Sequence, residues 1–163
     1  MPANRESLLA GRNNQPLTED AAFRVISIFY FLDRNVPVRY EPDQRTCFRV
    51  TVGENGAENA EIVFGPDIRP GQGILDANST LGVQAAAAHE LSHYYRWGDG
   101  AELTQPALLH VDEALTSLDA VLRFQDQLTP HDRRQLVADA IQRLQLYVQQ
   151  VVQGPAVAPA DRA

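Results

Sequence analysis

From Ala85 to Trp97 the chain holds neither proline nor glycine, opens on four alanines and ends at Gly98-Asp99-Gly100. Alanine is the strongest helix former and glycine a common stop. The stretch therefore predicts one helix, capped at Ser79 or Thr80 and running to about Arg96 or Trp97. Within it stands His89-Glu90-Leu91-Ser92-His93. Histidines four apart on a helix lie about 40° from each other around the axis and one turn apart along it, so both imidazoles leave one face and can grip one metal ion. Glu90 falls on the edge of that face, in reach of a water activated by the metal but not of ligation. Gly82, Ala86 and Trp97 share the face, and its small residues leave room for a substrate. Ala87, Leu91 and Tyr94 fall on another side and can enter a core. The bland reading is a helix with two solvated histidines and an ordinary glutamate.

Short elements surround that helix. Residues 1–17 read as a flexible arm. Thr18 has the chemistry of an N-cap, with Glu19 and Asp20 in the first turn, and Ala21 to Leu32 is apolar nearly all round, which predicts a buried helix. Three strands are expected next: Val36 to Tyr40, where Pro37 marks an edge or a start; Thr46 to Val52, alternating and β-branched; and Ala60 to Gly65. Gly53-Glu54-Asn55-Gly56 is turn chemistry, and Pro66 to Asn78 reads as an irregular loop. Downstream, Thr104 is expected to cap a second helix, with Pro106 in its first turn, ending near Phe124. Thr129 caps a third, with Pro130 at its first position. In the third, Val137, Ile141, Leu144, Val148 and Val151 recur at steps of four and three. This stripe lasts only about two heptads, so it is expected to pack on its own domain rather than on a partner helix. Gly154 to Ala163 reads as a disordered tail. The order helix, small sheet, helices predicts an α+β fold with an N-terminal buried helix, a three-stranded sheet, the histidine-bearing helix and two further helices, in one domain over residues 18–153.

Composition narrows the function classes. At 163 residues, 44% hydrophobic and 21% charged, the chain can build one sizeable core. It has 21 acidic against 14 basic residues, for a net charge of -7. That argues against nucleic acid as a partner, because a phosphate backbone asks for a basic face. All 14 basic residues are arginine. GC-rich codon usage accounts for this; avoidance of a lysine-directed modification is the sharper alternative. No apolar run approaches the ~20 residues of a membrane-spanning helix, and the polar start lacks a secretory stretch, so no membrane partner and a cytoplasmic location are expected. A single cysteine, Cys47, excludes an internal disulfide and a Cys-only zinc cluster, and its place in a strand reads as buried filler.

A metal site needs a third ligand. Glu113 lies 20 residues after His93, within His110-Val111-Asp112-Glu113-Ala114-Leu115. The motif, this separation and the Glu-Ala dipeptide together resemble the gluzincin metallopeptidases, a clan that includes the thermolysin-like and ImmA/IrrE-type enzymes. The resemblance runs from His89 to Phe124. It implies a zincin-like, "minigluzincin" fold with the active-site helix under a short sheet, and Glu113 on the next helix as third ligand. The chain departs from the thermolysin-like pattern at Ser117, where an aspartate stands four residues after the ligand glutamate. Asp112 and Asp119 are the nearest carboxylates that could orient His89 instead. On a helical projection Leu108, Val111, Leu115, Leu118 and Leu122 form one apolar stripe. Glu113 lies opposite, with Leu109, Ser117, Ala120 and Phe124. A carboxylate sandwiched there must be paired or ligating. Asp112, His110 and Asp119 stay open as alternative ligands.

The expected function is a zinc-dependent endopeptidase. One Zn²⁺ is held by His89, His93 and Glu113 with a position open to water, and Glu90 acts as general base. Tyr94, Tyr95, His110, His131 and Tyr147 are candidate oxyanion donors. Strand Ala60 to Gly65 is the candidate edge on which an extended peptide could pair. The resemblance implies limited proteolysis of one dedicated protein partner. The rivals are a non-catalytic zinc-binding module, for which Glu90 has no use, and a metal-free interaction protein acting through its last helix.

Overall fold

The computed structural model describes residues 11–71 and 81–154. Among them the fold is α+β: α1 (Glu19–Leu32), β1 (Val38–Tyr40), β2 (Cys47–Val52), β3 (Glu58–Phe64), α2 (Val83–Gly98), α3 (Leu109–Arg123) and α4 (Pro130–Gln153). No helix among the described residues is long and apolar enough to cross a membrane. The expected caps at Ser79 or Thr80 lie outside the described residues; α2 starts after Gly82, whose N–H donates to Gln135 of α4 at 3.0 Å.

Helix α1 is capped as its sequence suggests, with Thr18 Oγ1 accepting from the Ala21 N–H at 3.1 Å. It buries Ala22, Val25, Phe29 and Leu32, one stripe of the 3.6-residue period. The expectation of a helix buried all round is corrected: Phe23 and Phe31 stay 67% and 63% exposed. The helix covers the domain from outside, and only one face has something to cover. Phe29 stacks on Phe64 of the sheet at 5.9 Å.

The sheet order is β1-β3-β2. β2 and β3 form an antiparallel hairpin with Cys47 opposite Val63 and Val52 opposite Glu58, and Gly56 takes the positive φ of 75° that its turn requires. β1 pairs parallel to β3 on the other side, Val38 opposite Ile62. Ala60 to Gly65 is thus the centre of the sheet, not its edge, and Ile62, Val63 and Phe64 are fully buried. The available edge next to α2 belongs to β2. Gly65 ends β3 at a close approach: a Cβ there would lie 1.7 Å from the Gln44 carbonyl oxygen. This contact draws the start of β2 in, where the Thr46 hydroxyl donates to Asp67 Oδ1 at 2.7 Å.

The arm expected at residues 1–17 is fastened over the part that is described. Arg12 donates to the carbonyls of Asp67, Leu81 and Ile68, each at 2.7 Å, and the Leu17 N–H donates to Tyr40 Oη at 2.8 Å. A guanidinium has five donors in a fixed fork, and here it gathers carbonyls from two separate loops. The expected tail, apart from Gly154, lies outside the described residues.

Thr104 does not cap α3. A 3-10 turn over Pro106–Leu108 precedes the helix, because proline starts a turn without needing a donor. Thr129 does cap α4, in a reciprocal box with Asp132. The stripe on α4 is corrected: Ile141, Val148 and Val151 are 53%, 56% and 59% exposed, and the buried residues are Asp132, Leu136, Asp139 and Ala140. The helix is turned so that polar Asp139 and Arg143 face α3, where they have partners. The purely apolar stripe is left outward.

Tyr95 ties α2 to the end of α1 through a hydrogen bond to Asp33, with the Arg123 guanidinium 4.5 Å over its ring. Burial and the Asp33 carboxylate push the Tyr95 hydroxyl up to about 12. The raised value means the folded state favours the neutral phenol. The contact is fully present below the ordinary tyrosine value of ~10 and lost as pH rises through about 12. An ultraviolet titration should show one of the five tyrosines ionising late, and Tyr95→Phe should remove that late step. A late step that survives the substitution would assign it elsewhere.

Candidate metal centre

The metal-ligand spacing on α2 works as helical geometry requires. His89 and His93 project side by side, with ring centroids 4.8 Å apart and planes at 82°. Glu113 of α3 meets both: Oε2 lies 3.1 Å from His89 Nε2 and Oε1 lies 3.4 Å from His93 Nε2. The candidate ligand atoms of the three residues all fall within 4.8 Å of one another. The side chains are 6%, 14% and 22% exposed, so the group is sheltered yet reachable. Two imidazoles and one carboxylate converging on one point suit a divalent ion with a position to spare. They line a cleft of about 480 Å³ together with Glu90, His110, Arg143, Thr46, and Cys47 and Phe48 of β2.

The electrostatics follow the geometry. Burial alone would raise the Glu113 carboxyl, but the His89 and His93 rings, which donate to it when protonated, reverse this and hold it well below the carboxylate range. Burial would lower the His93 imidazole, and Glu113 overcomes that and raises it. The Glu90 carboxyl is pushed up by burial, against the pull of the two histidines. Glu90 is therefore the proton-avid carboxyl beside a proton-poor one. Similar residues in different surroundings take different roles.

The loop between α2 and α3 is set by a buried ion pair. Arg96 Nη2 donates to Asp112 Oδ1 at 2.5 Å, and the Leu103 N–H donates to the same oxygen at 2.8 Å. Asp112 Oδ1 is thereby committed to the loop; Asp112 does not belong to the grouping of His89, His93 and Glu113, and His89 Nδ1 meets Ser117 instead. Asp112 groups instead with His93 and Glu102, and there the Arg96 guanidinium already pairs with its carboxylate. Asp119 pairs with Arg123 at 3.0 Å and takes no part in the centre. Tyr94 packs edge-on against Phe48 at 6.0 Å, and neither Tyr94 nor Tyr147 lines the cleft. Tyr95 is bound to Asp33 and His131 is exposed. Of the proposed oxyanion donors only His110 lines the cleft. Cys47 is half-buried at the cleft wall rather than filler within the core. Burial and then Glu90 push its thiol up, away from a reactive thiolate.

Two residues of the centre were not among those expected from the sequence: Asp139 and Arg143, both on α4. Ser117 stands out in sequence only as a departure, and it is where the missing carboxylate is reached. His89 Nδ1 lies 2.8 Å from Ser117 Oγ, which lies 2.5 Å from Asp139 Oδ2. Arg143 Nε donates to the same Asp139 oxygen at 2.8 Å, and its Nη1 lies 3.4 Å from Glu113 Oε2. The signal was an Asp-Arg pair four apart on the face that also carries Leu136 and Ala140, which in sequence looks like an ordinary solvent-exposed helix pair.

Compared with known protein families, with characterised proteins and with solved structures, the chain matches none.

Proposed function

We propose that the protein is a zinc-dependent metallopeptidase of gluzincin type on a zincin-like fold, cleaving a peptide bond in a protein partner. The observation that carries this reading is the convergence of His89, His93 and Glu113 in an open cleft with Glu90, which is not one of the three, at the same wall. A purely structural site has no use for an adjacent base or for access from solvent.

His89, His93 and Glu113 would hold the ion. When bound, zinc supplies Lewis acidity, which polarises a carbonyl and brings water's pKa towards ~7. Glu90 takes a proton from the attacking water and returns it to the leaving amine, and its raised proton affinity suits both transfers. His110, at the cleft wall, is positioned to donate to the oxygen of the carbonyl under attack. The outer edge of β2, unpaired among the described residues, runs past the cleft at Cys47 and Phe48, so an extended substrate can add to the sheet there and lie across α2. That geometry selects flexible segments over folded ones.

The test is metal analysis alongside hydrolysis of a labelled unstructured protein. Wild type should carry about one zinc per chain and cleave the probe, and His89→Ala should lose both. Wild-type protein that takes up no zinc from buffered solutions would end this reading.

A further inference from the structure

We infer that Ser117 and Asp139 act as positioning residues that determine which ring nitrogen of His89 carries the proton, with Arg143 anchoring the far end of the chain of bonds. This deepens the metal-site reading above and rests on it only for the purpose of the freed nitrogen.

The direction of each bond follows from donor counting. An ionised carboxylate only accepts. Asp139 Oδ2 takes the Arg143 Nε–H at 2.8 Å and stands 2.5 Å from Ser117 Oγ. The single hydroxyl proton of Ser117 is therefore committed to Asp139, in the short range of a charge-assisted O–H···O bond. Only lone pairs of Ser117 Oγ remain to face His89 Nδ1, 2.8 Å away. Nδ1 must then carry the hydrogen, and a neutral imidazole has only one. Nε2 is left as a bare lone pair.

That lone pair faces Glu113 Oε2 across 3.1 Å. Two acceptors at that distance repel unless a proton or a cation lies between them. The relay thus prepares the centre for a cation, and its anchor at Asp139 and Arg143 lies on a helix that carries none of the three ligands. Ser117 and Asp139 are both fully buried, and Asp139 Oδ1 makes no hydrogen bond among the described residues. Burying a half-satisfied carboxylate weakens a fold, so packing alone is a poor account of it. Arg143 also reaches Glu113 at 3.4 Å, so α4 braces two of the three ligand residues.

Two readouts test this without using catalysis. The first is zinc affinity by chelator competition on the full chain. Ser117→Ala should bind about 10–100-fold more weakly, and Ser117→Thr, which keeps the hydroxyl, should stay close to wild type. Asp139→Ala should weaken binding similarly, and the double substitution should cost little more than either alone, because both break one relay. Additive losses would mean that Asp139 acts only through packing, and would overturn the proposal. The second is the tautomer of His89 in metal-free, ¹⁵N-labelled protein at a pH where imidazoles are neutral. Wild type should show the Nδ1–H form, and Ser117→Ala should shift towards Nε2–H, now donating to Glu113. An unchanged tautomer in Ser117→Ala would overturn the proposal even if zinc binding falls. Should Asp139→Ala fail to fold, the Ser117 substitutions and the tautomer still decide. A chain that binds zinc but cleaves nothing would sink the peptidase reading and leave this one standing.

Discussion

Glu90→Gln is expected to retain its metal and lose turnover by roughly 10²–10⁴-fold, the usual contribution of a positioned general base. The substitution keeps the shape and removes the proton-accepting oxygen. Glu90 lines the cleft beside His89 and His93 but is not one of the three residues whose ligand atoms converge, so the ligand set is undisturbed. The two halves of the expectation are separable. Metal analysis gives the stoichiometry, and kcat/KM on an extended peptide gives the loss. Retained zinc with near-normal turnover would remove Glu90 from the chemistry. Loss of zinc would make it part of the site's architecture instead. A drop in kcat at unchanged KM is the pattern expected of a group that acts in the transition state.

Asp112→Ala is expected to lower stability by about 3–5 kcal/mol, because it strands a buried guanidinium. The Arg96 and Asp112 side chains are 8% and 10% exposed, and Arg96 Nε makes no hydrogen bond among the described residues. Removing the carboxylate also leaves the Leu103 N–H without its acceptor. Asp119→Ala makes the natural control. Its pair with Arg123 is 25% and 31% exposed, and such pairs contribute about 0–1 kcal/mol. Urea denaturation of the two variants beside wild type checks both numbers. A loss below about 1 kcal/mol for Asp112→Ala would show that Arg96 finds water or another partner. The loop that Asp112 closes leads directly to Glu113, so the same variant should bind metal more weakly even where it remains folded.

How much of this was legible in advance divides by the range of the interaction. Helix α1 after Thr18, the β2–β3 hairpin around Gly53-Glu54-Asn55-Gly56, α2 through the alanines and α4 after Thr129-Pro130 each follow from neighbours within a turn or two. Placing His89 and His93 on one face needs only the helical period. The choice of Glu113 rested on spacing and resemblance, and the ligand atoms do converge. What failed were statements about what lies beside what. β3 reads as an edge because a hairpin shows one of its partners in sequence and not the parallel strand on its far side. The α4 stripe was expected inside because apolar periodicity ordinarily marks the buried face. Here the bonds of Asp139 and Arg143 turned that face outward.

The sequence by itself determined the local code: which segments are helices, that two imidazoles share a face, and that a glutamate stands next to them. Periodicity, capping and side-chain chemistry act over a few residues, and no other part of the chain is needed to read them. Only the tertiary structure decided the orientation of His89, because its partner is reached through a serine on α3 and an aspartate on α4, 28 and 50 positions further along the chain. It also decided which strand edge meets the cleft. Both depend on how separate elements pack, and hydrogen bonds between them leave no periodic trace in the order of residues.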